Sequence, residues 1–225
     1  MNRGTFSLAI VLAVLASSAG AASADDPPPR RFEVGGFVGL DYFGDDIELG
    51  NSWAAEQIPG TGLLLGGRAG FVLLPDLLRG RDADLAAGIE GEAKLAFSST
   101  GEVAEGGRDS YFAPVLGWRV QGILRLTTDF VLAPHLVVGV GGESVLTSSP
   151  FMVDDTDSTF LWGPGASWAL TDRLDARVDF RHGLTAGRQD FIVSTFELQF
   201  GLVYGWDLNL ERPPPPPPSP PPPPP

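Results

Sequence analysis

A two-residue alternation of side-chain character runs through this chain and constrains it most tightly between Ile192 and Trp206. Even positions carry Ile192, Ser194, Phe196, Leu198, Phe200, Leu202, Tyr204 and Trp206. Odd positions carry Val193, Thr195, Glu197, Gln199, Gly201, Val203 and Gly205. Successive side chains of a strand point to opposite faces, so this segment is a strand between two unlike surroundings. Residues 174–185 repeat the scheme, with Leu174, Ala176, Val178, Phe180 and Leu184 set against Asp175, Arg177, Asp179 and Arg181. The period is two, not the 3.6 of a helix.

Eight such segments can be counted, at about 32–43, 61–74, 85–97, 111–126, 131–147, 158–170, 174–186 and 191–206. The connectors at 44–60, 98–110 and 148–157 are long, polar and acidic, whereas 127–130 and 171–173 are short. Long loops at one end and short turns at the other predict an all-β fold: a closed eight-stranded antiparallel up-and-down transmembrane β-barrel. An even strand number brings both termini to the same end. Connector 75–84 is long for a turn, and Pro164 inside the sixth segment predicts a bulge or a break.

Alternation does not say which face is inside, but three features place the apolar face on lipid. Glycines crowd the polar face, among them Gly39, Gly66, Gly139, Gly163 and Gly201. A strand facing water gains nothing from glycine, whereas a narrow lumen needs small residues between large ones. Charges of both signs share that face: Arg68, Glu90, Glu92, Lys94, Arg119, Arg125, Asp175, Arg177, Asp179, Arg181 and Glu197, with Glu33, Asp41 and Glu143. Inside one lumen they can pair, as buried charge requires. Finally, aromatic residues on the apolar face favour strand ends. Tyr42, Phe97, Phe112, Phe160 and Trp162 fall near the loops; Phe32, Phe71, Trp168, Tyr204 and Trp206 fall near the turns. Two such rings are expected of membrane-interface girdles.

The ends read differently. Arg3, the apolar run Phe6 to Ala16 and the small residues Ala22-Ser23-Ala24 before Asp25 predict an export signal over residues 1–24. A short lead, 25–31, then precedes the barrel at 32–206, and a linker follows at 207–225. Pro213 to Pro225 is proline at every position but Ser219, which predicts a polyproline rod about 40 Å long. With no cysteine, disulfide scaffolds, thiolate metal sites and lipid-anchored lipoproteins are excluded. A net charge of −13 without a basic stripe argues against nucleic acid.

From Gln199 to Trp206 the sequence Gln-Phe-Gly-Leu-Val-Tyr-Gly-Trp resembles the terminal-strand signal read by the outer-membrane assembly machinery: polar, any, Gly, two of any, aromatic, any, aromatic. Gln199, Gly201, Tyr204 and Trp206 hold the matching positions. Together with eight strands, the export signal, Leu174 to Arg181 and the proline tail, the chain resembles the N-terminal barrel of outer membrane protein A (OmpA) relatives over most of residues 31–212. The resemblance implies a bacterial outer-membrane location with both ends periplasmic. It also implies contact with outer-membrane lipids and lipopolysaccharide, and assembly by that machinery. In that family a peptidoglycan-binding domain often follows the linker; residues 1–225 contain none, so contact with peptidoglycan is expected only through a further domain.

Candidate chemistry is sparse. His135 falls on the lumen parity and His182 on the lipid parity, neither with a partner at metal spacing. Glu90 and Glu92 read as partners of Lys94 on their own strand and of arginines opposite. Asp45-Asp46 and Asp154-Asp155-Thr156-Asp157 lack the spaced ligands of a calcium loop and read as solvated acid. No catalytic set, metal site or cofactor is expected. The reading is an architectural outer-membrane barrel plugged by charge. A pore, a membrane-barrel enzyme and a soluble ligand carrier are its rivals.

Overall fold

The alternating segments become strands because a closed ladder satisfies every backbone donor and acceptor within the wall, leaving the side chains free to sort by face. The computed structural model describes residues 31–50, 57–80, 83–102, 109–128, 132–147, 152–153, 155–187 and 191–208. The expected export signal and the run Pro213 to Pro225 lie outside them. Eight strands follow in order: β1 (Arg31–Tyr42), β2 (Gly62–Arg79), β3 (Ala83–Phe97), β4 (Val115–Thr128), β5 (Leu132–Val145), β6 (Thr156–Ala169), β7 (Leu174–Ala186) and β8 (Ile192–Asp207). Each pairs antiparallel with its sequence neighbour, and β1 pairs with β8 from Arg31↔Asp207 to Tyr42↔Phe196, which closes the barrel.

Two local expectations are corrected. The stretch 75–84 is not a long connector: β2 continues through Pro75 to Arg79. Its register against β3 slips between Val72 and Leu74 and again between Leu74 and Leu78. Bulging absorbs the extra residues and seats a proline that cannot donate to the ladder. Pro164 produces neither a bulge nor a break. β6 runs through it with its register to β5 unchanged (Val137↔Gly163, Leu136↔Pro164, His135↔Gly165). Only the pairing to β7 lapses, between Trp162↔His182 and Gly165↔Asp179. The missing N–H is confined to one side of one strand.

The core is the barrel's interior. Even positions of β8 such as Leu198, Phe200 and Leu202 are exposed on the outer wall, while Glu197, Gln199 and Val203 are buried. At the loop end, residues between β1 and β2 turn back over the opening, where Ile47 bridges Gly187 and Pro59 bridges Thr100.

Candidate functional site

Because lumen-facing positions on neighbouring strands lie side by side, the register brings the interior charges together. At the turn end, Arg125 on β4 clasps Glu33 on β1 through both oxygens, at 2.8 and 2.9 Å. Arg31 approaches Asp175 at 3.5 Å.

In the middle, Arg177 donates to Glu90 at 2.6 Å and contacts Asp179 at 2.9 Å. Arg68 donates to Asp179 at 2.6 Å and to the Gln199 amide oxygen at 2.7 Å. His135 Nε2 lies 2.7 Å from Asp179 Oδ1. Gln121 donates to Glu90 at 2.5 Å. One carboxylate, Asp179, thus takes contacts from three guanidinium groups and an imidazole, since Arg181 also reaches it at 3.0 Å. The three side-chain nitrogens of Arg181 have no hydrogen-bond acceptor among the described residues.

Towards the loops, Arg119 grips Glu197 at 2.8 Å and also contacts Glu92. Gln199 bridges both carboxylates, donating at 3.0 and 2.8 Å. Lys94 then meets Asp41 at 2.5 Å, with Glu143 and Glu197 both at 2.6 Å. Those three carboxylates lie within 4.8 Å of one another, a spacing that suits a cation, and the Lys94 ammonium is the cation they surround. Glu90 and Glu92 therefore take the expected arginines but not the expected Lys94. The lysine stem instead carries its charge towards the loop end, where Asp41, Glu143 and Glu197 converge.

Above the ions sits an apolar cap that the sequence reading missed. Phe43, Ile47, Leu49 and Ile58 from the first loop pack with Met152, Ala113, Val115, Val145, Leu64, Ala96 and Phe37, all buried. The loops look polar because their acids are numerous, yet a few scattered apolar side chains suffice to fill one opening. Gly50 makes the turn that seats this loop: its φ is +80°, and a Cβ there would lie 2.6 Å from Met152 and 2.9 Å from Val145.

The reading also passed over Phe37, which is on lumen parity and buried. Arg68 lies over its ring at 4.5 Å from the centroid. Its neighbours on both sides, Gly66 and Gly201, leave room for the ring: a Cβ on Gly66 would overlap it, and one on Gly201 would lie 2.6 Å from Gly36 O and 3.0 Å from Phe37 Cβ. A small apolar patch of Ile123, Val137 and Leu161 completes the interior. Parity alone would have found these residues.

The aromatic residues of the outer wall fall in two groups. Phe32, Phe71 and Trp206 pack together at the β8–β1–β2 turn end, with centroids 4.7 and 5.6 Å apart, and Tyr204 meets Trp206 at 4.7 Å. Trp168 lies on β6, paired with Leu132. Nearer the loops, Tyr42 contacts Phe196 at 6.4 Å, and Trp162, Phe160 and Phe97 are exposed on the wall. Phe112 sits outside β4, exposed and bridged to Ser99, because that strand starts at Val115 and not near 111. Of the terminal motif, Gln199 and Gly201 have jobs inside the lumen, while Tyr204 and Trp206 lie outside. Asp154 lies outside the described residues; Asp45, Asp46, Asp155 and Asp157 lie at the loop end.

An up-and-down barrel with an apolar belt outside and a charged, filled interior defines the class of transmembrane β-barrels. The profile of the outer membrane protein beta-barrel domain matches residues 9–205, and the chain belongs to that family. Its form is that of an OmpA-like outer-membrane barrel. No curated protein sequence matches it significantly. Among solved structures it is similar to Ail, the attachment invasion locus protein of Yersinia pestis, at 11% identity, covering 80% of this chain and 99% of that one, with a TM-score of 0.46. It is similar too to the N-terminal β-barrel domain of Pseudomonas aeruginosa OprF, at 15% identity, 78% and 97% coverage and a TM-score of 0.44. Neisserial surface protein A stands at 12%, 78% and 96%, and 0.45.

Proposed function

We propose that this outer-membrane barrel has a structural, anchoring role in the bacterial envelope and holds its lumen closed. The observation that carries the reading is the double obstruction of the interior. Interlocked ion pairs run from Arg125–Glu33 to Lys94–Asp41, and the apolar cap lies above them. A pore needs a continuous polar path wide enough for hydrated ions, and among the described residues both layers stand across it.

In this reading both ends of the mature chain are periplasmic, and the linker leads towards the cell wall, with peptidoglycan reached through a further domain. The two aromatic groups rest at the two membrane interfaces against lipid and lipopolysaccharide. Gln199, Gly201, Tyr204 and Trp206 serve recognition by the assembly machinery. The protein is not an enzyme and does not bind nucleic acid. Planar-bilayer recording of the refolded protein tests the closed lumen: the expected trace has no large, steady conductance, and a stable open channel would contradict the reading.

A further inference from the structure

A polar pair interrupts the apolar outer wall between Trp162 and Phe196. His182 on β7 and Ser194 on β8 both occupy outward positions and are half-buried. The imidazole stacks on Phe196, with centroids 4.9 Å apart and planes 10° from parallel, and meets the edge of Trp162 at 5.6 Å. Those rings fix its orientation. Nε2 lies 3.0 Å from Ser194 Oγ.

The chemistry of the pair follows from counting donors and acceptors. The neutral pair carries two polar hydrogens, one on the Ser194 hydroxyl and one on the imidazole, and shares a single hydrogen bond between Oγ and Nε2, so one hydrogen is left over whichever group donates. When the hydroxyl donates to Nε2, the hydrogen left over is the one on Nδ1. Nδ1–H has no acceptor among the described residues. In a hydrocarbon or interfacial setting, an unmet donor costs free energy comparable to a lost hydrogen bond. Water is scarce there, and the abundant acceptors at the depth of an aromatic belt are the ester and phosphate oxygens of lipids. Turnward of the pair the wall is apolar, with Phe180, Leu198 and Phe200 exposed to receive acyl chains.

We propose that His182 and Ser194 form a lipid-binding notch in the barrel wall, in which Nδ1–H of His182 donates to an ester or phosphate oxygen of an outer-membrane lipid. The proposal rests on the outer wall facing lipid, and its test separates the two ideas. The protein, labelled with ¹⁵N-histidine, is placed in vesicles of phosphatidylethanolamine and phosphatidylglycerol in phosphate-free buffer. The chain has two histidines, so His182→Phe identifies the His182 signals while keeping a ring in the stack.

Solid-state dipolar recoupling then reads Nδ1 against lipid ³¹P in one sample and against ¹³C-carbonyl lipid in another. A hydrogen bond of normal length places the phosphorus or carbonyl carbon about 4 Å from Nδ1. The expected result is a protonated Nδ1 dephased by one of the two labels, and the label that acts names the oxygen. Ser194→Ala, which releases Nε2, should cut that dephasing at least twofold. No dephasing by either label, with Phe200 still in contact with lipid chains, would overturn the notch alone. Phe200 without chain contact would overturn the outer-wall reading with it.

Discussion

Replacing Arg177 with alanine removes the guanidinium that binds both Glu90 and Asp179 while it is itself only 1% exposed. Asp179 keeps Arg68, His135 and Arg181. Among the described residues Glu90 keeps the Gln121 amide and Arg68 at 3.9 Å. Breaking one partner of a buried pair costs about 3–5 kcal/mol, because the remaining charge is stranded away from water. Glu90 retains some support, so the expected loss is about 3 kcal/mol. The double replacement Arg177→Met with Glu90→Met removes both charges at similar bulk and should cost about 1 kcal/mol or less. Equilibrium unfolding by urea in phospholipid vesicles, followed by tryptophan fluorescence and by the gel shift between folded and unfolded forms, measures both. A double-mutant cycle built from Arg177→Met, Glu90→Met and the double replacement should return a coupling of about 2–3 kcal/mol. A coupling under about 0.5 kcal/mol would refute the argument that these charges hold each other in place.

Further outcomes follow from the same geometry. Gly201→Val, which forces a side chain against Phe37 and the Gly36 carbonyl, should cost about 1–3 kcal/mol in the same assay. Gly36→Val, whose nearest obstacle is Gly66 O at 3.7 Å, should stay within about 0.5 kcal/mol. In bilayer recordings Leu49→Asp, which puts a charge in the cap, should not conduct alone because the ion layers remain; combined with Lys94→Met and Arg177→Ala it should. Alanine at Tyr204 and Trp206 together should slow assembly by the reconstituted assembly machinery several-fold. Unassisted folding into short-chain lipid should change less, and equal slowing in both would count against a recognition role.

Much of this architecture can be read from the chain because a barrel wall has period two and the lumen is chemically unlike lipid. A single parity assignment for β8 places Glu197 and Gln199 inside and Phe200 and Leu202 outside. The pairings inside the lumen are less legible. Sequence places Lys94 beside Glu90 and Glu92 on one strand, but the length of its stem and the acids of β1, β5 and β8 decide where its charge goes. The cap escaped notice for a different reason: Phe43, Ile47, Leu49 and Ile58 have no periodicity, and only the loop's path brings them together. The Pro75 and Pro164 strands show the limit of local rules. A proline in a strand must lose one ladder bond, but whether the strand bulges or simply lapses on one side depends on its neighbours.

Site-directed spin labels placed singly from 194 to 206 in lipid vesicles test the central orientation most directly. Accessibility to oxygen, which dissolves in the hydrocarbon, should rise and fall with period two, high at 196, 198, 200 and 202. Positions 197, 199, 201 and 203 should be shielded from both oxygen and a water-soluble nickel complex. The opposite phase, or even positions reached by the nickel complex along the strand's middle, would contradict a barrel with its apolar face in lipid and its charges within.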